Sequence, residues 1–287
     1  MQARIHPFFD ATTSTFTYVV HGADRPECAV VDSVLNYDLR SGAVSAEFVE
    51  RVARFVERNG LNVQWLLETH VHADHLSGAS WLRERLGGRI GISEGIIEVQ
   101  QVFKRIFNLD DAFAADGTDF DYLFKPDEVF SIGALDAVAM HVPGHTPADM
   151  AYKVADEAVF VGDTLFMPDV GTARCDFPGG DSRRLYESVR RILSLEPQTR
   201  LFMCHDYPPQ GRAIQHETDV ATQLDANVHI RHGIDLDTFT QMRDTRDANL
   251  PLPQLFFPSI QANIRAGKLP VVESNGKRYF KYPVEAV

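Results

Sequence analysis

Apolar, strand-like runs that end in a histidine or an aspartate recur along this chain, and they constrain its fold more than any other feature. The run "VQWLLETH" leads straight into Thr69-His70-Val71-His72-Ala73-Asp74-His75, which gathers three of the chain's eleven histidines. The run Leu135 to Val142 leads to His145 in "VPGHTPAD", "AVFVGD" delivers Asp163, and "RLFMCHD" delivers His205. In α/β proteins ligands collect at loops beyond the carboxyl ends of strands. One edge of a layered α/β structure is therefore expected to bring these side chains together.

The intervening segments support that layering. "FTYVV" and "CAVVDS" read as a strand pair turning at His21-Gly22, with Asp32 at a strand end. "SAEFVERVARFVERNG" carries apolar residues at Phe48, Val52, Phe55 and Val56, a helical stripe that Ser45 can cap and Gly60 can close. "LSGASWLRERLGG" and "SEGIIEVQQVFKRIF" read as helices on either side of a strand, "RIGI", and Ile132-Gly133 as a turn. Beyond His216 the chain is polar and Pro-punctuated, with helices expected over Leu236 to Arg246 and Ser259 to Ala266. The expected division is a domain over 1–216 and a helical extension, 217–287, packed on it.

A net charge of -12 argues against nucleic acid, whose phosphates call for a basic surface, and leaves any anionic substrate in need of a local cation. No run approaches the roughly 18 apolar residues of a membrane helix, so no membrane partner and a soluble cytoplasmic protein are expected. Cys28, Cys175 and Cys204 are odd in number and far apart, which fits a reducing compartment and suggests neither a disulfide framework nor a cysteine zinc site.

Singly, each candidate has a plain alternative. His145 follows a Pro-Gly turn, Asp163 could cap a helix, and His205 could be a core histidine. Their shared position at strand ends, behind a His-x-His-x-Asp-His motif, favours metal binding for all of them.

Taken in order, "THVHADH", "PGHT", "VGDT" and "CHD" resemble the metallo-β-lactamase family over Phe16 to His216. The resemblance implies an α/β protein: an αββα sandwich of two facing mixed β-sheets with helices outside, its metal at one edge, and residues 1–216 as the catalytic domain. Several chemistries share that fold. In the binuclear zinc hydrolases, His70, His72 and His145 would hold one Zn(II) and Asp74, His75 and His205 a second. Asp163 would bridge them, and the reaction would be the thioester hydrolysis of glyoxalase II.

"GTARCDF" and "CHDY" resemble instead the persulfide dioxygenases, and the longer "FMPDV" loop and larger tail suggest their bacterial subtype. This resemblance implies one Fe(II) per chain on His72, His145 and Asp163, two imidazoles and a carboxylate that leave coordination positions open. Glutathione persulfide and O2 would be the substrates, and sulfite and glutathione the products. His70, Asp74, His75 and His205 would orient the ligands, with His205 and Tyr207 donating hydrogen bonds in catalysis. Arg174 would hold the glutathione carboxylate. The plain alternatives are an Arg174–Asp176 ion pair, a packed Tyr207 and, for Cys175, a loop thiol. A homodimer is expected from the family's habit, and a non-catalytic metal-binding protein of the same fold stands third.

Overall fold

Val19, Val30 and Leu66 face a helical layer while their neighbours Tyr18, Val20, Val31, Trp65 and Leu67 face a second sheet, so these strands are buried on both sides. Strands covered on both faces are nearly continuous apolar runs, as the sequence shows here. The computed structural model describes residues 2–284. Its first sheet runs β1 (Ala3–Asp10), β2 (Thr15–Gly22), β3 (Glu27–Val31), β6 (Asn62–Leu67), β8 (Arg89–Ser93) and β9 (Tyr122–Phe124). Pairing is antiparallel from β1 to β3 and parallel from β3 to β9.

The second sheet runs β10 (Glu128–Ile132), β11 (Leu135–His141), β12 (Met150–Val154), β13 (Ala158–Phe160), β14 (Arg200–Phe202) and β15 (Glu217–Asp219). Only β13 and β14 pair in parallel. A small sheet of β5 (Ala43–Ser45), β4 (Val34–Asp38) and β7 (Leu76–Ser77) lies beside the THVHADH loop. Tyr18, Trp65, Phe124, Tyr152, Phe160 and Phe202 fill the space between the two large sheets.

Outside the first sheet, α1 (Glu47–Arg58), α2 (Ala79–Leu86), α3 (Ile96–Ile106) and α7 (Phe256–Asn263) bury Val52, Leu82, Phe103 and Ile260. Outside the second, α4 (Ser182–Ile192), α5 (Val220–Ala226) and α6 (Leu236–Asp247) bury Leu185, Val189, Val220 and Phe239. The αββα sandwich is therefore as expected.

Several local expectations are corrected. β2 extends through His21 and Gly22, and the chain reverses over 23–26. Ser45 belongs to β5, although its hydroxyl still accepts from the Glu47 N–H, and α1 is capped at Ala46 with no side-chain bond. The last helix begins at Phe256, three residues before the expected start. Helix α4 was not anticipated: its arginines 183, 184, 190 and 191 dilute a stripe of Leu185, Val189 and Ile192. Among the described residues, no helix is long and apolar enough to cross a membrane.

Candidate metal centre

Strand ends deliver the site. The loop after β6 carries His70, His72, Asp74 and His75, the loop after β11 His145, the loop after β13 Asp163, and the loop after β14 His205. At the end of β3, Asp32 takes a left-handed φ of 50°. Gly144 sets the approach of His145: its φ is 150°, and a Cβ there would lie 2.3 Å from the Leu185 Cα. Only glycine lets the PGHT loop rest against α4.

Each of the five imidazoles is tied to protein by one nitrogen. His70 Nδ1 lies 3.0 Å from Thr69 Oγ1, which itself donates to Asp32. His145 Nδ1 donates to the Arg174 carbonyl at 2.7 Å, and His205 Nδ1 faces Ser14 O at 3.3 Å and Thr15 Oγ1 at 3.2 Å. His75 Nδ1 meets Asp74 Oδ1 at 3.3 Å. His72 is reversed, its Nε2 donating to Asp32 Oδ1 at 3.0 Å. Acceptors on these nitrogens place the ring protons there and leave lone pairs on the other side.

Those free atoms are buried and unpartnered. His70 Nε2, His72 Nδ1, His75 Nε2, His205 Nε2, Asp74 Oδ2 and Asp163 Oδ1 have no hydrogen-bond partner. A buried polar atom without a partner costs about 1–3 kcal/mol. A cluster of them, all lone pairs, fits a cation. His70, His145 and Asp163 offer one set of atoms within 4.8 Å of one another, and His72, Asp74, His75 and His205 another. Asp163 stands between them, Oδ2 lying 3.6 Å from His145 Nε2 and Oδ1 3.3 Å from His205 Nε2. The donors therefore suit one metal ion or a carboxylate-bridged pair.

Electrostatics agree with that fit. Burial, reinforced by neighbouring imidazoles, lowers the pKa of His70 well below the ordinary histidine value and lowers that of His75, keeping both neutral. Burial is the largest influence on His72 and works in the same sense, but the carboxylates of Asp32, Glu68 and Asp74 together outweigh it and push the pKa up to about 9, so a cation binding Nδ1 would displace a proton there. An anionic partner on Nε2 makes Nδ1 the more basic ligand. Glu68, 3.6 Å from the same Nε2, is pushed by burial up to about 8.

Of the expected triad of His72, His145 and Asp163, the structure brings His145 and Asp163 together with His70. Asp32 turns the His72 ring so that it joins Asp74, His75 and His205 instead. Arg174 makes the ion pair with Asp176 that stood as its plain alternative. Its guanidinium makes two 2.6 Å bonds to Asp176 and donates to the carbonyls of Pro251 and Leu250, which leaves it a brace for the tail. What it offers the centre is its backbone carbonyl, on His145. Tyr207, 47% exposed, stacks on His205 with ring centroids 5.7 Å apart and lines the adjoining cavity. Burial raises the pKa of the Cys175 thiol, consistent with an inert loop residue.

That cavity, about 520 Å³, is bounded by the metal donors Asp74, His145 and Asp163 on one side and by residues of the tail on the other. A shallower depression of about 960 Å³ adjoins it at Asp74 and Tyr207. Sequence reasoning missed Thr15 and Asn263 altogether and did not give Asp32 a role at the site. Asp32 was signalled by its strand-end position, whereas Thr15 and Asn263 become neighbours of the motif only through the tertiary fold.

Comparison with known proteins places this arrangement. The profile of the metallo-beta-lactamase superfamily matches residues 12–205. A probable metallo-hydrolase of Burkholderia pseudomallei is 52% identical, with 99% of each chain covered. Glyoxylase B2 of Dictyostelium discoideum is 45% identical over 99% of this chain and 97% of its own. The mitochondrial persulfide dioxygenase ETHE1 of Bos taurus is 26% identical over 92% of this chain and 88% of its own. The crystal structure of ETHE1 from Myxococcus xanthus superposes with a TM-score of 0.72 at 26% identity, covering 92% of this chain and all of that one.

Proposed function

Because the chain belongs to the metallo-beta-lactamase superfamily, we propose that it is a persulfide dioxygenase, oxidising glutathione persulfide with O2 and water to sulfite and glutathione. The observation that carries this reading is the set of His70, His145 and Asp163, two imidazoles and a carboxylate beside one cavity, in a chain alike in fold to the Myxococcus xanthus ETHE1 over 92% of its length. Bound to these three residues, a ferrous ion would supply the one-electron chemistry that O2 requires and that zinc lacks.

The protein's part is positioning. Asp32, Thr69 and the Arg174 carbonyl hold the imidazoles in the ligand tautomer. Phe166, Phe177 and Val170 give the cavity apolar walls that limit water around a reactive sulfur. Tyr207, on the side of Asp74 and Asp163, has a phenol that can donate to an oxygen arriving there.

A binuclear zinc thioesterase is the second reading. It is favoured by the second donor set of Asp74, His75 and His205, tethered and unpartnered like the first, and by the likeness to glyoxylase B2. Metal analysis after anaerobic purification, paired with an oxygen electrode, separates the two. The dioxygenase reading expects about one iron per chain and prompt O2 uptake on adding glutathione persulfide. Two zinc ions per chain, with thioester cleavage and no uptake, would replace it with the hydrolase.

A further inference from the structure

We propose that His229 and Arg246, on the cavity wall contributed by the C-terminal tail, form the seat for the glycine carboxylate of a glutathione-bearing substrate. The proposal rests on the same cavity being the substrate site, and it transfers to the tail the role that sequence gave to Arg174.

The charges around the cavity single out one cation. Of the three arginines that line it, Arg174 is consumed by Asp176 and two tail carbonyls. Arg243, 1% exposed, is bound to Asp247 and to the Thr172 carbonyl. Arg246, on the last turn of α6, has no guanidinium hydrogen bond or ion pair among the described residues. The acidic residues nearby do not claim it. Asp74 and Asp163 belong to the metal donors, and Asp169 is held by Arg212 through a 2.5 Å contact. An unpaired guanidinium beside a cavity in an otherwise acidic protein offers planar, bidentate recognition of a carboxylate.

His229 supplies the second, independent observation. The ring is 8% exposed and lines the same cavity. Its Nδ1 accepts the Thr172 N–H at 3.0 Å, so the ring proton sits on Nε2. No protein group among those described accepts from that nitrogen. The ring packs on Gly171, where a Cβ would lie 2.1 Å from Nδ1, and Asn227 accepts from the His229 N–H while donating to the Gly171 carbonyl. Burial, then Arg243 and Arg246, push the pKa down to about 4, so the ring stays a neutral donor at neutral pH. A ring N–H that opens on the cavity with no protein acceptor and an uncommitted guanidinium on the same wall are complementary to a single anionic acceptor.

The test uses full-length, metal-loaded protein and two probes, glutathione and its glycine ethyl ester, with binding followed by calorimetry without turnover. The wild type is expected to bind the acid at least about tenfold more tightly than the ester. Arg246→Ala should weaken glutathione by about that factor and abolish the preference, with metal content and melting temperature unchanged, and Arg246→Lys should restore part of it. His229→Gln should weaken the acid more than the ester. An Arg246→Ala protein that keeps both affinity and preference overturns the proposal, as does a wild type that binds the two probes equally or not at all. Arg246-dependent binding of glutathione without O2 uptake on its persulfide would retain the carboxylate seat and discard the dioxygenase.

Discussion

An imidazole can serve a cation only through a nitrogen the protein has left free, and at this centre the tethers decide which nitrogen that is. Asp32 is the most consequential tether, since it accepts from His72 Nε2, the Thr69 N–H and the Thr69 hydroxyl that supports His70. Asp32→Asn removes the charge that raises the basicity of His72 while nearly preserving shape. Metal affinity should fall about 10–100-fold, read by competition with a chelator, with little change in the far-ultraviolet spectrum. His229 gives a prediction with a sign. Its folded pKa of about 4 lies below the ordinary 6.5. The folded state therefore binds fewer protons than the unfolded one between these values. Its contribution is complete above about pH 6.5 and is lost as pH falls toward 4, by up to about 3 kcal/mol. Thermal melts from pH 7 to pH 4.5 should show that loss, and His229→Gln should flatten it. The seven donor residues of the centre were legible as residue types at strand ends. Which nitrogen each ring presents was not, because Asp32 lies 40 residues from its partner His72.

Elements carry these residues through close contacts that the hydrophobic pattern does not encode. Helix α4 is the clearest case. Asp181 caps it by accepting from the N–H groups of Arg183 and Arg184, and its Leu185 packs against Gly144, next to the ligand His145. Asp181→Ala should cost about 1 kcal/mol and leave metal content intact, since only the cap is lost. Gly144→Ala should cost at least about 2 kcal/mol and strip metal as well, because relieving the clash moves His145 away from Asp163. Melting temperature and metal content measured on both variants check the contrast. Strands β6, β11, β13 and β14 were readable because a strand buried on both faces needs a continuous apolar run. Helix α4 was hidden because one apolar stripe suffices for it, and exposed arginines filled the rest. Ser45 shows a related limit: a capping residue is only a candidate until tertiary contacts set where the helix begins.

At the scale of the molecule, the tail closes the site. The loop that carries THVHADH leaves the end of β6 with few strand partners, and α7 supplies what the sheets do not. Asn263 donates through Nδ2 to the carbonyls of His72 and His75, and its Oδ1 accepts from the Ser77 N–H. Gln100 of α3 donates to the Ile264 carbonyl, tying the tail to the first sheet's helices. The residues joined by Asn263 are 186 or more positions apart, so no local pattern could reveal the clamp. For the same reason a boundary drawn at 216 by composition says nothing about independence: the tail holds the metal loop on one side and supplies Arg246 on the other. Asn263 is 4% exposed, and its truncation to alanine leaves two carbonyls and an N–H buried without partners. At about 1–3 kcal/mol for each orphaned group, partly recovered by relaxation, a loss of several kcal/mol is expected. Because two of the three groups belong to the metal loop and the third, the Ser77 N–H, follows it in β7, apo protein should lose cooperativity first, and saturating metal should restore part of the melting temperature by binding only the folded form. Asn263→Asp tests the geometry separately. It keeps the acceptor for Ser77 but turns a buried carboxylate oxygen toward the two carbonyls, so its stability should fall at least as far as that of Asn263→Ala. A melting temperature for Asn263→Ala within a degree or two of wild type, with or without metal, would show that the tail merely covers the loop.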